Sequence, residues 1–146
     1  MRITLQRVSS ATCRVDGQIT GQIDKGLLLF VGFTATDSPD LLPGAIRKCL
    51  ELRIFEDENG KLNKSLLDCG GSILLISQFT LFANCSRGRR PDFTHAAPPE
   101  QAQRLYNEFV SLLLDSGMNI QTGIFATNMQ VSLVNEGPIT INMEFN

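Results

Sequence analysis

At 146 residues, 42% of them apolar, the chain is long enough to bury one substantial core and reads as one domain, residues 1–146. A net charge of −2 gives no general attraction for polyanions, and the longest apolar run, Leu27–Val31, falls far short of the ~20 residues of a membrane span. Four scattered cysteines (Cys13, Cys49, Cys69, Cys85) with no C-x-x-C pair, and a single histidine, His95, match no zinc or histidine-rich metal pattern; no cofactor is expected.

The first fifteen residues alternate polar and apolar as a strand and contain no hydrophobic signal segment, so a cytoplasmic address is expected. Asp16-Gly17 is a two-residue hairpin signal, because glycine accepts the positive φ of a type I′ turn. Residues 18–23 return as the partner strand. Lys25-Gly26 then turns into a buried strand over Leu27–Phe33, which completes an antiparallel meander. Ser38-Pro39-Asp40 opens a helix to about Arg53, with Leu41, Ala45, Ile46, Cys49 and Leu50 on one face. The acidic turn Glu56–Gly60 follows; residues 61–68 show no pattern that types them.

The central stretch is Ser72–Phe82. Ile73–Ile76 is apolar on both faces and bounded by Gly70-Gly71, as expected of a strand in the middle of a sheet. Ser77, Gln78 and Thr80 then put two hydroxyls and a carboxamide where a core strand stays apolar. Buried polar groups cost about 1–3 kcal/mol each unless paired. Either the strand leaves the core here, or these residues serve a site. Directly downstream, Arg87, Arg89 and Arg90 cluster within four residues, which suits phosphates and equally suits a solvated loop.

Pro98-Pro99 opens a second helix, its apolar face formed by Ala102, Leu105, Tyr106, Phe109, Val110 and Leu113, ending at Gly117. Ile120–Ile124 is a short strand. Two alternating strands close the chain (Met129, Val131, Leu133; then Ile139, Ile141, Met143, Phe145), separated by Asn135-Glu136-Gly137-Pro138, read as a hairpin turn. Glycine ahead of proline admits a cis bond, which sequence alone does not establish. The sum is a single α/β domain with a mostly antiparallel, barrel-like sheet and about two helices.

Titrating groups for chemistry are scarce. Thr80 as nucleophile with His95 as base is one reading, but a threonine hydroxyl is feeble without a hydrogen-bonded base, and nothing in the sequence orients His95. There is no carboxylate pair and no glycine-rich phosphate loop.

Several of these stretches together resemble the D-aminoacyl-tRNA deacylases. Ser77-Gln78-Phe79-Thr80-Leu81 matches the family's SQFTL motif. Asn135-Glu136-Gly137-Pro138-Ile139-Thr140 matches its N-x-G-P-V-T motif, with isoleucine for valine. Leu52–Asp57, Gly88–Pro91 and Thr122-Gly123-x-Phe125 are similar in order, so the likeness covers nearly the whole chain. One departure is Ala126-Thr127-Asn128-Met129, where the family has Gly-Ala-Asp-Met.

The resemblance implies a homodimer in which Gly137-Pro138, as a Gly-cisPro motif, enters the partner's active site. Its two backbone carbonyls would capture the substrate α-amino group and leave no room for an L side chain, with Phe125 and Met129 beside them in the pocket. Ser77, Gln78, Phe79 and Thr80 would form the catalytic segment, with ester cleavage assisted by the tRNA's own 2′-hydroxyl. Glycyl-tRNA, including that mischarged on tRNA for alanine, should also be hydrolysed. Arg87, Arg89 and Arg90 would contact tRNA phosphates. The alternatives are a Thr80–His95 esterase and a tRNA-binding module without chemistry.

Overall fold

The computed structural model describes residues 1–146. The sheet is organised by β1 (Arg2–Val15), which pairs with three other strands. Asp16 and Gly17 both take left-handed φ values (49° and 79°), as a type I′ turn requires, and return the chain as β2 (Gln18–Ile23), antiparallel to the far half of β1. The near half of β1 pairs antiparallel with β3 (Gly26–Gly32), from Arg2 opposite Gly32 to Val8 opposite Gly26. Next, β3 takes a parallel partner, β6 (Ser72–Ser77), with Val31 opposite Ser77; β6 pairs parallel with β7 (Asn119–Thr122). Leu27–Leu29 and Ile73–Ile76 are buried on both faces, as strands inside a parallel, helix-covered region must be.

The alternation of these strands divides the core. Ile3, Leu5, Leu27, Leu29, Ile73 and Leu75 face α1 (Leu42–Glu51) and α3 (Pro99–Leu114), while Val8, Ala11, Cys13, Leu28, Leu74 and Ile76 face the inside of the curled sheet. The curl brings β2 against β7 so closely that a Cβ on Gly21 would lie 2.8 Å from the Thr122 carbonyl oxygen. The sheet is thereby nearly closed into a barrel. At its edge the buried α-ammonium of Met1 donates to Asp37 Oδ1 (2.7 Å) and to the Phe145 carbonyl (2.8 Å). No helix is long and apolar enough to cross a membrane.

Several elements differ from the sequence expectation. There are three α-helices rather than about two. The untyped stretch holds β5 (Leu62–Lys64), paired with β4 (Phe55–Glu56), and the short α2 (Leu66–Cys69). A capping box starts α2: Ser65 Oγ accepts from the Asp68 amide, and the Asp68 carboxylate accepts from the Ser65 amide. The first helix begins as a 3-10 turn, Pro39–Leu41.

The largest difference is at the C-terminal end. Residues 135–138 are no hairpin turn. One strand, β8 (Gln130–Glu144), runs antiparallel to β1 along its whole length, from Gln130 opposite Arg14 to Glu144 opposite Arg2. Between Asn135 (opposite Val8) and Thr140 (opposite Gln6), four residues of β8 face the single residue Arg7. Pro138 has no N–H to give the ladder and Gly137 sits at φ 138°, so the segment loops out as a bulge while the register resumes beyond it.

Candidate active site

The polar residues after Ile76 mark the point where β6 leaves the core. The Gln78 amide donates to the Val31 carbonyl (2.7 Å), extending the parallel pairing by one step. Gly32 makes that approach possible, since a Cβ there would lie 2.6 Å from the Gln78 carbonyl oxygen. The chain then tightens into a 3-10 turn over Phe79–Phe82, and Gln78 Nε2 donates to Thr80 Oγ1 at 2.5 Å. This bond fixes the carboxamide and leaves Thr80 as an acceptor.

A cavity of about 780 Å³ opens beside this segment. Ser77, Gln78 and Phe79 line one side, Phe125 to Met129 another, and Phe93 with the Ala96–Pro99 stretch complete it. Twelve of its twenty lining residues are hydrophobic, and none is Asp, Glu, Lys, Arg or His. Five of the expected site residues (Ser77, Gln78, Phe79, Phe125 and Met129) therefore meet at one cavity. Thr80 stands just behind it, on Gln78. His95 does not join them: it lines a second, smaller cleft with Arg2, Asn84, Cys85 and Glu144, and the Thr80 hydroxyl donates to no base.

The wall carrying Phe125 is held from α3. Tyr106 donates its hydroxyl to the Leu75 carbonyl (3.0 Å), and its ring packs at a tilt against Phe125, centroids 5.8 Å apart. Burial pushes the Tyr106 phenol well above its ordinary value, so it stays a protonated structural donor. Met129 packs over Gly123, where any Cβ would collide with its sulfur. Between them, the Thr127 hydroxyl donates to the Ile124 carbonyl (2.9 Å) and straps a turn that holds Ala126 at φ 58°. A left-handed conformation costs a non-glycine residue about 1–2 kcal/mol. Ala126 is thus a glycine-type position occupied by alanine, and it lies on the cavity wall.

Gly137 and Pro138 lie elsewhere. They are exposed, joined by a cis peptide bond, and do not line the cavity of their own chain. The bulge is nevertheless anchored. The Asn135 side chain spans it, accepting from the Ile139 amide (2.7 Å) and donating to the Ile139 carbonyl (3.0 Å). Beneath it, the buried Arg7 donates Nε to the Glu136 carbonyl (2.9 Å) and Nη1 to the Ile54 carbonyl (2.7 Å), with Glu56 3.8 Å from Nη2. Arg7 escaped the sequence reading, although its parity with Ile3 and Leu5 already turns it inward.

The three arginines occupy an exposed loop closed at its base by reciprocal backbone bonds between Asn84 and Asp92 (2.7 and 3.0 Å). Arg87, Arg89 and Arg90 form no ion pair within the chain. Phosphate-compatible charge therefore stands free on this loop, whose closing residue Asp92 directly precedes the cavity-lining Phe93.

Comparison with known proteins agrees over the full length. The family model described as D-Tyr-tRNA(Tyr) deacylase matches residues 4–144. A protein of Clostridioides difficile named D-aminoacyl-tRNA deacylase is 51% identical over 144 residues, covering 99% of this chain and 97% of its own. One of Rhodopirellula baltica with the same name is 48% identical, with 99% of each chain covered. Among solved structures, one titled c-Myc DNA Unwinding Element Binding Protein superposes with a TM-score of 0.93 at 39% identity, covering 100% of this chain and 99% of that one. In sequence from end to end, and in the fold that carries the cavity, the chain belongs to the D-Tyr-tRNA(Tyr) deacylase family.

Proposed function

We propose that the chain hydrolyses the ester between a D-amino acid and the 3′ end of tRNA, releasing free tRNA and amino acid. The observation that carries this reading is the apolar cavity beside Ser77, Gln78 and Phe79, which contains no titrating side chain. An ester hydrolase with its own base needs a proton acceptor such as histidine, a carboxylate or lysine within hydrogen-bond reach of the attacking oxygen. Here the substrate supplies that help. Water adds to the ester carbonyl, the bond to the 3′ oxygen breaks, and the vicinal 2′-hydroxyl assists by hydrogen bonding. The protein contributes position, exclusion of bulk water, and polar contacts from Ser77, Gln78 and Thr80.

Chirality is set by exclusion. The carbonyls of Gly137 and Pro138 from a second subunit hold the substrate α-amino group, and the remaining space admits hydrogen but no L side chain. Three features support a shared site: the bulge is exposed, it is anchored by Arg7, and it is absent from its own chain's cavity. In addition, β8 pairs only with β1, which leaves its other edge open to a partner. Glycine has no side chain to exclude, so glycyl-tRNA, including glycine mischarged on tRNA for alanine, is a substrate as well. The free arginines of the 84–92 loop meet tRNA phosphates. A nucleic-acid backbone of either kind would meet those same arginines, whereas only an ester uses the cavity.

Assistance by the RNA predicts an asymmetry between protein and substrate changes. Thr80→Ala should lose far less than the ~10⁴-fold typical of deleting a nucleophile, and His95→Ala should stay close to wild type. A D-tyrosyl-tRNA ending in 2′-deoxyadenosine should be cleaved poorly by the intact protein. Single-turnover rates decide it: normal cleavage of the deoxy substrate together with a dead Thr80→Ala would establish a threonine esterase instead.

A further inference from the structure

Of the nine phenylalanines, only Phe79 and Phe93 are exposed (55% and 38%), and both stand on the cavity lining. Their rings meet edge to face, with centroids 5.2 Å apart and planes at 66°. This arrangement fixes the pair while leaving ring surface open to solvent. Phe93 is also held through its backbone. The Asp92 carboxylate accepts from both the amide and the hydroxyl of Thr94 (2.9 Å each), which clamps the residue between them. Asp92 is in turn the closing residue of the loop that presents Arg87, Arg89 and Arg90.

We propose that the Phe79–Phe93 pair is a stacking platform for the unpaired RNA base next to the esterified terminal nucleoside. The inference rests on the deacylase reading above and deepens it, because it names how the substrate strand is held outside the cavity. An aromatic face joined through Asp92 to a loop of unpaired arginines combines the two parts of a single-stranded nucleic-acid site: a π surface for a base and cations for its phosphates. A purely apolar protein partner would have no use for three free guanidinium groups on the adjoining loop. A strand leaving the cavity for the arginine loop passes Phe93, because Asp92 joins the two.

The test is steady-state hydrolysis of two substrates, D-tyrosyl-tRNA and the D-tyrosyl ester of adenosine alone, which lacks the neighbouring base. Leucine keeps the apolar bulk of Phe93 and removes its π face. Phe93→Leu is expected to raise KM for D-tyrosyl-tRNA by about 5- to 150-fold with kcat little changed, the range found for losing one base–aromatic stack. The rise should be clearly smaller on the adenosine ester, which has no neighbouring base to stack, and Phe93→Trp should restore tRNA binding. Equal losses on both substrates would overturn the platform and limit Phe93 to shaping the cavity for the terminal nucleoside. An unchanged KM for tRNA would overturn it too, and would leave the patch facing a protein. A wild-type chain inert toward D-tyrosyl-tRNA but active on other esters would overturn the deacylase reading itself, and the platform with it.

Discussion

Gly137→Ala is expected to slow D-tyrosyl-tRNA hydrolysis by about 100-fold or more while the protein remains folded. Gly137 lies at φ 138°, a backbone region that residues with a side chain rarely adopt. An added Cβ would lie 2.9 Å from Ile139 Cγ1, 3.0 Å from the Ile139 nitrogen and 3.3 Å from Arg7 Nη2. Neither the Ile139 nitrogen nor the Arg7 guanidinium can easily yield. The Ile139 amide is held by Asn135, and the Arg7 guanidinium is held by two carbonyls. The bulge must therefore shift, and its carbonyls shift with it. Displacing a positioning group by about 1 Å can cost two orders of magnitude in rate, although it touches no bond that reacts. The check is the single-turnover rate, with circular dichroism confirming the fold. A wild-type rate would reduce the bulge to an irregularity of β8.

Arg7→Met should act on stability first. It deletes two hydrogen bonds from a buried cation and leaves the carbonyls of Glu136 and Ile54 without donors. Bonds to charged groups contribute about 1.5–3 kcal/mol each, so a net loss of about 3–4 kcal/mol is expected. For a chain of this length that lowers Tm by about 10 °C. The contact with Glu56 adds little, because it is 3.8 Å long and Glu56 is largely exposed. Arg7→Lys should not rescue the protein. One ammonium on a flexible stem cannot serve two carbonyls that the planar fork reaches from separate atoms. Deacylation should fall in both variants even well below Tm, because the bulge loses its anchor. Thermal melts and rates read together would show this. A melt within 2 °C of wild type would contradict the role given to Arg7.

Local signals carried most of the strand and helix reading. Asp16-Gly17, the doubly apolar run Ile73–Ile76 and the face of α3 each have one physical interpretation, and each stands as expected. Of the polar break, Ser77 and Gln78 line the cavity and Thr80 stands behind Gln78; the break was legible because unpaired polar groups are costly in a core strand. What failed was non-local. A glycine–proline pair between two alternating runs has the local chemistry of a hairpin turn. Whether the chain reverses or bulges there depends on β1, which is long enough to pair with both runs at once. Ser65 and Asp68 did hold a readable capping signal for α2, but four residues are too few for helical periodicity to appear. Arg7 was hidden by its own chemistry: a charge in an alternating strand is ordinarily turned to solvent, and only the carbonyls of two distant segments justify its burial. The cavity's freedom from titrating groups is likewise a property of assembly. His95 is four residues before Pro99, which lines the large cavity, yet it faces the other cleft.

The central claim is that this chain removes amino acids from tRNA by handedness at the α-carbon, not by the identity of the side chain. The most direct measurement is a side-by-side time course on D-tyrosyl-tRNA, L-tyrosyl-tRNA and glycyl-tRNA with one preparation of the protein. The account predicts that the D ester and the glycyl ester are hydrolysed, while the L ester decays only at its uncatalysed rate. Hydrolysis of D- and L-tyrosyl-tRNA at equal rates, or of neither, would contradict it.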